Sequence, residues 1–141
     1  MDAGYSGTLL AKKLGLREGM QALLIDVPAA LGDIADFQGF AGVTRDLPSS
    51  PERLFDYIHV FEIDRSRLEA VRDDLRALLR ADGMAWISWP KKASKVRTDI
   101  TEDVLRAIFL PTGLVDVKVA AVDETWSGLK FVFHRELRAG L

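Results

Sequence analysis

Apolar positions along this chain fall into short blocks whose spacing alternates between two periods. The run MQALLIDV, Met20 to Val27, has the length and continuity of a buried strand, and Pro28 closes it and suits the first turn of a helix over Ala29 to Ile34. A second run, DYIHVFEI, Asp56 to Ile63, is rich in aromatic and β-branched residues and predicts another strand. Between them, Gly39, Gly42, Pro48, Ser49, Ser50 and Pro51 leave room for one short strand near Val43. From Asp64 the period becomes helical: Leu68, Val71, Leu75, Leu78 and Leu79 share one face, Asp64 is a good N-cap, and Asp82-Gly83 ends the segment. MAWISW, Met84 to Trp89, reads as a third buried strand. A further helix starts at Asp99 or Thr101 and runs to about Phe109, where Pro111 and Gly113 stop it.

The last third changes period again. LVDVKVAAV places Val115, Val117, Val119 and Ala121 on one face, and GLKFVFHREL does the same with Leu129, Phe131 and Phe133, so the link DETWSG predicts an antiparallel hairpin. Upstream, Ser6 or Thr8 caps a short helix that Gly15 ends, and Arg17-Glu18-Gly19 forms a turn. Strands alternating with helices imply an α/β fold, a mostly parallel sheet covered on both faces, with one antiparallel edge. We expect a single domain over 1–141, with a flexible opening over 1–7.

Composition narrows the function classes. With 19 basic and 21 acidic side chains the formal charge is −2, which argues against a dedicated nucleic-acid binder. The absence of cysteine excludes disulfides, thiolate metal sites and cysteine nucleophiles. No leader pattern and no apolar run of about 20 residues is visible, so a cytoplasmic protein without a membrane partner is expected. His59 lies on a strand face with Tyr57 and Phe61 and reads as a satisfied core histidine, and His134 reads as a surface residue. Neither has a partner at metal-ligand spacing, and the Gly-x-Ser-x-Gly elbow and the Walker loop are both missing.

The element order resembles the Rossmann-like fold of S-adenosylmethionine-dependent methyltransferases. LGLREGMQALLIDV is similar to the lead-in and first strand, LFDYIHVFEI to the fourth, LRALLRADGMAWISW to the helix and fifth strand, and VDVKVAAVDETWSGLKFVFHR to the sixth and seventh. The likeness spans about Leu14 to Arg135. At least one helix and one strand of that fold are missing between Asp36 and Asp56. In the family an acid after the first strand precedes closely spaced glycines that let backbone approach the cofactor. Here Asp26 is followed by Val27-Pro28-Ala29-Ala30-Leu31-Gly32, so no cofactor is expected and S-adenosylmethionine is not expected in the usual mode. GYSGTLLAKKLGL, SWPKKAS and AVDETWSGLKFVFHREL are also similar to an uncharacterised bacterial family of unknown function, a resemblance that implies no activity.

The candidate chemistry lies after MAWISW. In open α/β sheets ligands bind beyond the carboxyl ends of the strands, so Pro90 to Arg97 is expected on that edge. There Trp89 offers an aromatic face, Lys91, Lys92 and Lys95 offer charge with Arg97, Ser94 a hydroxyl, and the following helix its free N–H groups. The alternative is a solvated loop. Exposed like charges about 7 Å apart in water repel by only about 0.6 kcal/mol, and Asp99, Glu102 and Asp103 follow at once and partly neutralise them. Trp126, in the polar link, is either a plug over the sheet edge or a face for a ligand or protein partner. Gly4-Tyr5-Ser6-Gly7 is either a flap or a merely packed end. Three functions stay open: a non-catalytic or degenerate methyltransferase-like module binding a small anionic or nucleotide-like ligand, a protein-interaction module, and an atypical methyltransferase.

Overall fold

The structure is a computed structural model that describes residues 4–49 and 52–141, side chains 4–8 excepted. One six-stranded sheet organises it: β1 (Gln21–Ile25), β2 (Gly42–Thr44), β3 (Phe55–Phe61), β4 (Leu79–Pro90), β5 (Leu114–Ala121) and β6 (Trp126–Phe133) in the order β2-β1-β3-β4-β6-β5. The first four strands are parallel, and β6 runs antiparallel to both β4 and β5. This is the α/β fold with a terminal hairpin that the pattern predicts, with one strand fewer than the seven that the methyltransferase resemblance implies.

Helices cover both faces. α3 (Arg65–Leu78) and α4 (Glu102–Phe109) pack one side, burying Leu68, Leu75, Leu78, Leu105, Ile108 and Phe109 with Val60, Ile87, Leu129 and Phe131 from the strands. Each such side chain contributes roughly 1.5–3 kcal/mol relative to exposure. The other side is covered by α1 (Gly4–Leu14) and the one-turn α2 (Gly32–Ala35), over Leu24, Tyr57, Phe61 and Trp86. The expected flexible opening over 1–7 falls partly on residues 1–3, outside the described residues, and Gly4–Gly7 belong to α1.

The docking of α1 can be followed carbonyl by carbonyl. Gly15 takes φ +80°, so Leu16 N–H donates to Ala11 O (2.9 Å) and Gly15 N–H to Lys12 O (3.1 Å). Lys118 Nζ donates to Lys13 O at 2.8 Å, and Trp86 Nε1 donates to Leu14 O at 2.9 Å. All four carbonyls that a helix end leaves open are thereby satisfied, two of them by the sheet itself.

Several boundaries differ from the sequence reading. β1 ends at Ile25, two residues early, because Asp26 turns into the left-handed region at φ +56°. The helix expected over 29–34 shrinks to Gly32–Ala35, since a turn with Leu31 N–H on Pro28 O comes first. α3 stops at Leu78, and Leu79 is already extended and paired with Phe55. Gly83 then lets β4 pass β3, for a Cβ there would stand 3.0 Å from Phe55 O and 3.1 Å from Asp56 O. In β5 a register shift between Asp116 and Lys118 breaks the apolar face: Val115 pairs with Val132 and Val119 with Leu129, on opposite faces of the sheet. The link is shorter than DETWSG, since Trp126 already belongs to β6 and pairs with Pro90. β6 ends at Phe133, and His134 caps the one-turn α5 (Arg135–Arg138) by accepting from Glu136 N–H at 3.2 Å. Among the described residues no helix is long and apolar enough to cross a membrane.

Candidate functional site

Parallel pairing brings the carboxyl ends of four strands to one edge, where Asp26, Arg45, Glu62 and Lys91 follow β1, β2, β3 and β4. β6 runs the other way, so its first residue, Trp126, reaches the same edge. Two non-glycine residues among those described adopt positive φ, Asp26 at 56° and Lys95 at 61°, and both lie here. Such backbone costs energy that the surroundings must hold in place, and it concentrates at functional edges.

The segment after β4 is pinned along its length. Lys91 N–H donates to Thr125 O at 2.8 Å, a 3-10 turn spans Lys92–Ser94, and Thr98 Oγ1 donates to Ile63 O at 2.6 Å. Ser94 Oγ donates to Lys91 O at 2.6 Å and accepts from Val96 N–H at 3.2 Å, so its hydroxyl is used inside the turn. The three acids that follow in sequence are committed elsewhere. Asp99 Oδ1 accepts from Arg65 N–H at 2.8 Å, at the start of α3, while Glu102 and Asp103 bind Arg106 at 2.7 and 3.1 Å. Arg106 also holds Asp116 at 3.0 Å, and the hydrogen bonds to Asp116 and Glu102 raise its pKa. Among the described residues, none of Lys91, Lys92, Lys95 and Arg97 forms an ion pair. Lys92, Lys95 and Arg97 are exposed and Lys91 is half-buried.

The start of α4 does not join this cationic group as expected. Thr101 Oγ1 already accepts from Val104 N–H at 3.2 Å, and Glu102 and Asp103 occupy the first turn. Trp89 is also placed differently: it is 8% exposed within the core beneath α3 and α4. Trp126 is half-buried on the opposite face, edge-to-face with Phe61 at 5.0 Å and 75°. The two indoles therefore do not meet. Asp123 Oδ1 accepts from both Thr125 N–H (2.8 Å) and Trp126 N–H (2.7 Å), which fixes the turn that presents Trp126. That Asp-x-Thr pattern was a readable signal for an earlier start of β6.

Beneath the same edge runs a buried polar chain. Tyr57 Oη and His59 Nδ1 are 2.7 Å apart, and His59 Nε2 and Ser88 Oγ are also 2.7 Å apart. The imidazole stacks on Phe61 at 4.5 Å and lies nearly parallel to Trp86 at 6.2 Å. Burial pulls the His59 pKa down to about 3 and raises that of Tyr57. His59 is thus a neutral ring with both nitrogens occupied. Ser88 is fully buried, so its hydroxyl has no access to a substrate. Among the described residues no group of three or more histidines and acids is placed to hold a metal ion.

No family model matches the chain, and no curated protein matches it. Solved structures do. A SAM-dependent methyltransferase from Aquifex aeolicus superposes with a TM-score of 0.62 at 14% identity, covering 91% of this chain and 89% of its own. The magnesium protoporphyrin IX methyltransferase from Synechocystis, with bound SAM, gives 0.57 at 11% identity over 92% and 77%. A glycopeptide N-methyltransferase complexed with sinefungin gives 0.57 at 10% identity over 95% of both chains. At such identities the likeness is one of fold, and the Rossmann-like methyltransferase fold is that of this chain.

Proposed function

We propose that this chain is a methyltransferase-fold module that holds a small anionic or nucleotide-like ligand at the carboxyl edge of its sheet and does not transfer methyl groups. The observation that carries this reading is the isolation of the basic segment. Asp99, Glu102 and Asp103 are engaged by Arg65 N–H and Arg106, which leaves Lys91, Lys92, Lys95 and Arg97 without an acidic partner among the described residues. A phosphate or carboxylate supplies the missing charge, and the backbone N–H of Lys91 on Thr125 O anchors the start of the segment next to Trp126.

The loop after β1 does not fit S-adenosylmethionine in its usual mode. Pro28 supplies no N–H, Ala29 and Ala30 carry β-carbons, and the four-residue α2 is too short to present a helix start to the cofactor. The fold neighbours favour a second reading, an atypical SAM-dependent methyltransferase that binds its cofactor by other contacts. The uncharacterised bacterial family with a similar WPKKAS centre adds no activity to either reading.

Isothermal titration with ADP, a sugar phosphate and S-adenosylhomocysteine separates the two. The first reading expects ADP or the sugar phosphate to bind, with affinity at least about tenfold weaker in Lys91→Ala/Lys92→Ala. Binding of S-adenosylhomocysteine with no effect of the double substitution sinks it in favour of the second.

A further inference from the structure

The opposite edge of the sheet carries a second group of cations, independent of the reading above. Phe133 ends β6 among the amino ends of the parallel strands and is fully buried. Two guanidiniums lie over its ring, with Cζ of Arg53 5.2 Å and Cζ of Arg76 5.4 Å from the centroid. Both are also tied to backbone. Arg53 Nη1 donates to Arg76 O at 2.8 Å and to Leu79 O at 3.0 Å, closing the end of α3, and Arg76 Nε donates to Thr112 O at 2.7 Å. Arg138 of α5 joins them through Phe133 itself, its Nε donating to Phe133 O at 3.2 Å.

These tethers explain why arginines stand here, but not why they lack a counter-ion. One nitrogen of each guanidinium is used, and the other two have no hydrogen-bond partner among the described residues. None of the three arginines forms an ion pair among the described residues. The acids nearest in sequence, Glu52, Asp74 and Glu136, are exposed and pair with none of them, nor does the terminal carboxylate, while Arg135 adds a further exposed cation. The face is therefore not simply basic: what it lacks is a carboxylate against the held guanidiniums. Burial and the charge of Arg76 lower the Arg53 pKa, as expected of two like charges kept together.

Apolar side chains border the same face. Gly113 N–H donates to Leu110 O at 3.1 Å and His134 N–H donates to Gly113 O at 2.9 Å. Leu137 packs on Gly113 so closely that a Cβ there would collide with its Cδ1, yet Leu110 and Leu137 both stay exposed. The arginines are held on separate elements: the junction of α3 and β4, the turn before β5, and the end of β6. They present a face rather than a point, and a chain bearing several carboxylates matches that better than one small anion.

We infer that this amino-edge face docks an acidic segment of a protein partner, its carboxylates on Arg53, Arg76 and Arg138 and its apolar side chains on Leu110 and Leu137. The probe is a rhodamine-labelled peptide of alternating glutamate and leucine, followed by fluorescence anisotropy. Versions with lysine for glutamate and with serine for leucine are the controls. The glutamate–leucine peptide is expected to bind, the lysine version not to bind, and the serine version to bind about tenfold more weakly. Arg138→Glu, at an exposed position, is expected to weaken binding about tenfold or more with an unchanged circular dichroism spectrum, and Arg138→Lys to retain most of it. On the unaltered chain, amide shifts on titration are expected at residues 53, 76, 110–113 and 133–138, and not over 91–97. Failure of the native chain to bind the peptide, equal binding of the lysine version, undiminished binding in Arg138→Glu, or shifts confined to 91–97 would overturn the assignment. Equal binding of the serine version would reduce the face to a simple anion site and overturn the docking of a protein segment.

Discussion

Acid should weaken this protein through His59. In the folded chain its imidazole is fully buried, both ring nitrogens are occupied by hydroxyls, and its pKa is pulled down to about 3 from the ordinary 6.5. The folded pKa lies below the unfolded one, so the unfolded chain takes up a proton first as pH falls. Stability tied to this residue is therefore complete above 6.5 and is lost progressively between 6.5 and about 3. At pH 5 the folded ring is still neutral, so the loss depends only on the unfolded value: about 1.5 units at about 1.36 kcal/mol each, or about 2 kcal/mol relative to pH 7.5. The matched control is Tyr57→Phe/His59→Phe/Ser88→Ala, which removes the whole polar chain and leaves no partner unsatisfied. Urea unfolding of both proteins at pH 7.5 and pH 5, followed by tryptophan fluorescence, isolates the effect, because His134 and the carboxylates are common to both. The stability of the native sequence relative to the triple variant should fall by about 2 kcal/mol on acidification. A difference that stays within about 0.5 kcal/mol would show that His59 is protonated in the fold or unburied, and the reasoning would fail.

Substitutions at two further positions test the backbone of the sheet. Gly83→Ala should destabilise by about 1–3 kcal/mol in urea unfolding, because its Cβ would meet the carbonyls of Phe55 and Asp56 at 3.0 and 3.1 Å and backbone cannot yield as a side chain does. Asp26→Gly relieves the left-handed backbone at φ +56° and should be neutral or stabilising by up to about 1 kcal/mol, whereas Asp26→Val should cost at least as much. Equal stabilities for the two Asp26 variants would remove the claim of stored strain.

What the sequence made legible follows from range. α3 was readable because Asp64 caps it through Ser66 N–H and Leu68, Leu75 and Leu78 repeat at helical spacing. Its end was not, because Leu79 also fits the helical face, and only pairing with Phe55 makes it extended. The bulge near Val117 leaves no mark in an alternating pattern, so the apolar face assigned to β5 was wrong beyond that point. The position of the basic segment was legible, since the end of MAWISW places it on the carboxyl edge. Its neutralisation was not, because Asp99, Glu102 and Asp103 are close in sequence yet serve α3 and Arg106. The clasp of Lys118 on Lys13 O joins residues 105 apart and has no local signal.

On the proposed reading, the loop after β1 and the four-residue α2 bear on the cofactor in one way. Bare backbone at the start of a helix is useful to an anionic or polar cofactor because free N–H groups and an aligned dipole point at it. α2 has four residues, and the N–H groups of Ile34, Ala35 and Asp36 are spent on Leu31 O and Gly32 O. That leaves the N–H groups of Gly32 and Asp33 at the start of a helix whose dipole spans a single turn, a weak site on which glycines at 28 and 30 would gain little. Sterics and helix length then make different predictions for Pro28→Gly/Ala30→Gly. If helix length governs, the variant still fails to bind S-adenosylhomocysteine in isothermal titration. It also unfolds about 1–2 kcal/mol more easily in urea, because two glycines widen the unfolded ensemble. Binding acquired by the glycine variant, absent from the native sequence, would mean that side-chain bulk alone kept the cofactor out and that the short helix is no barrier.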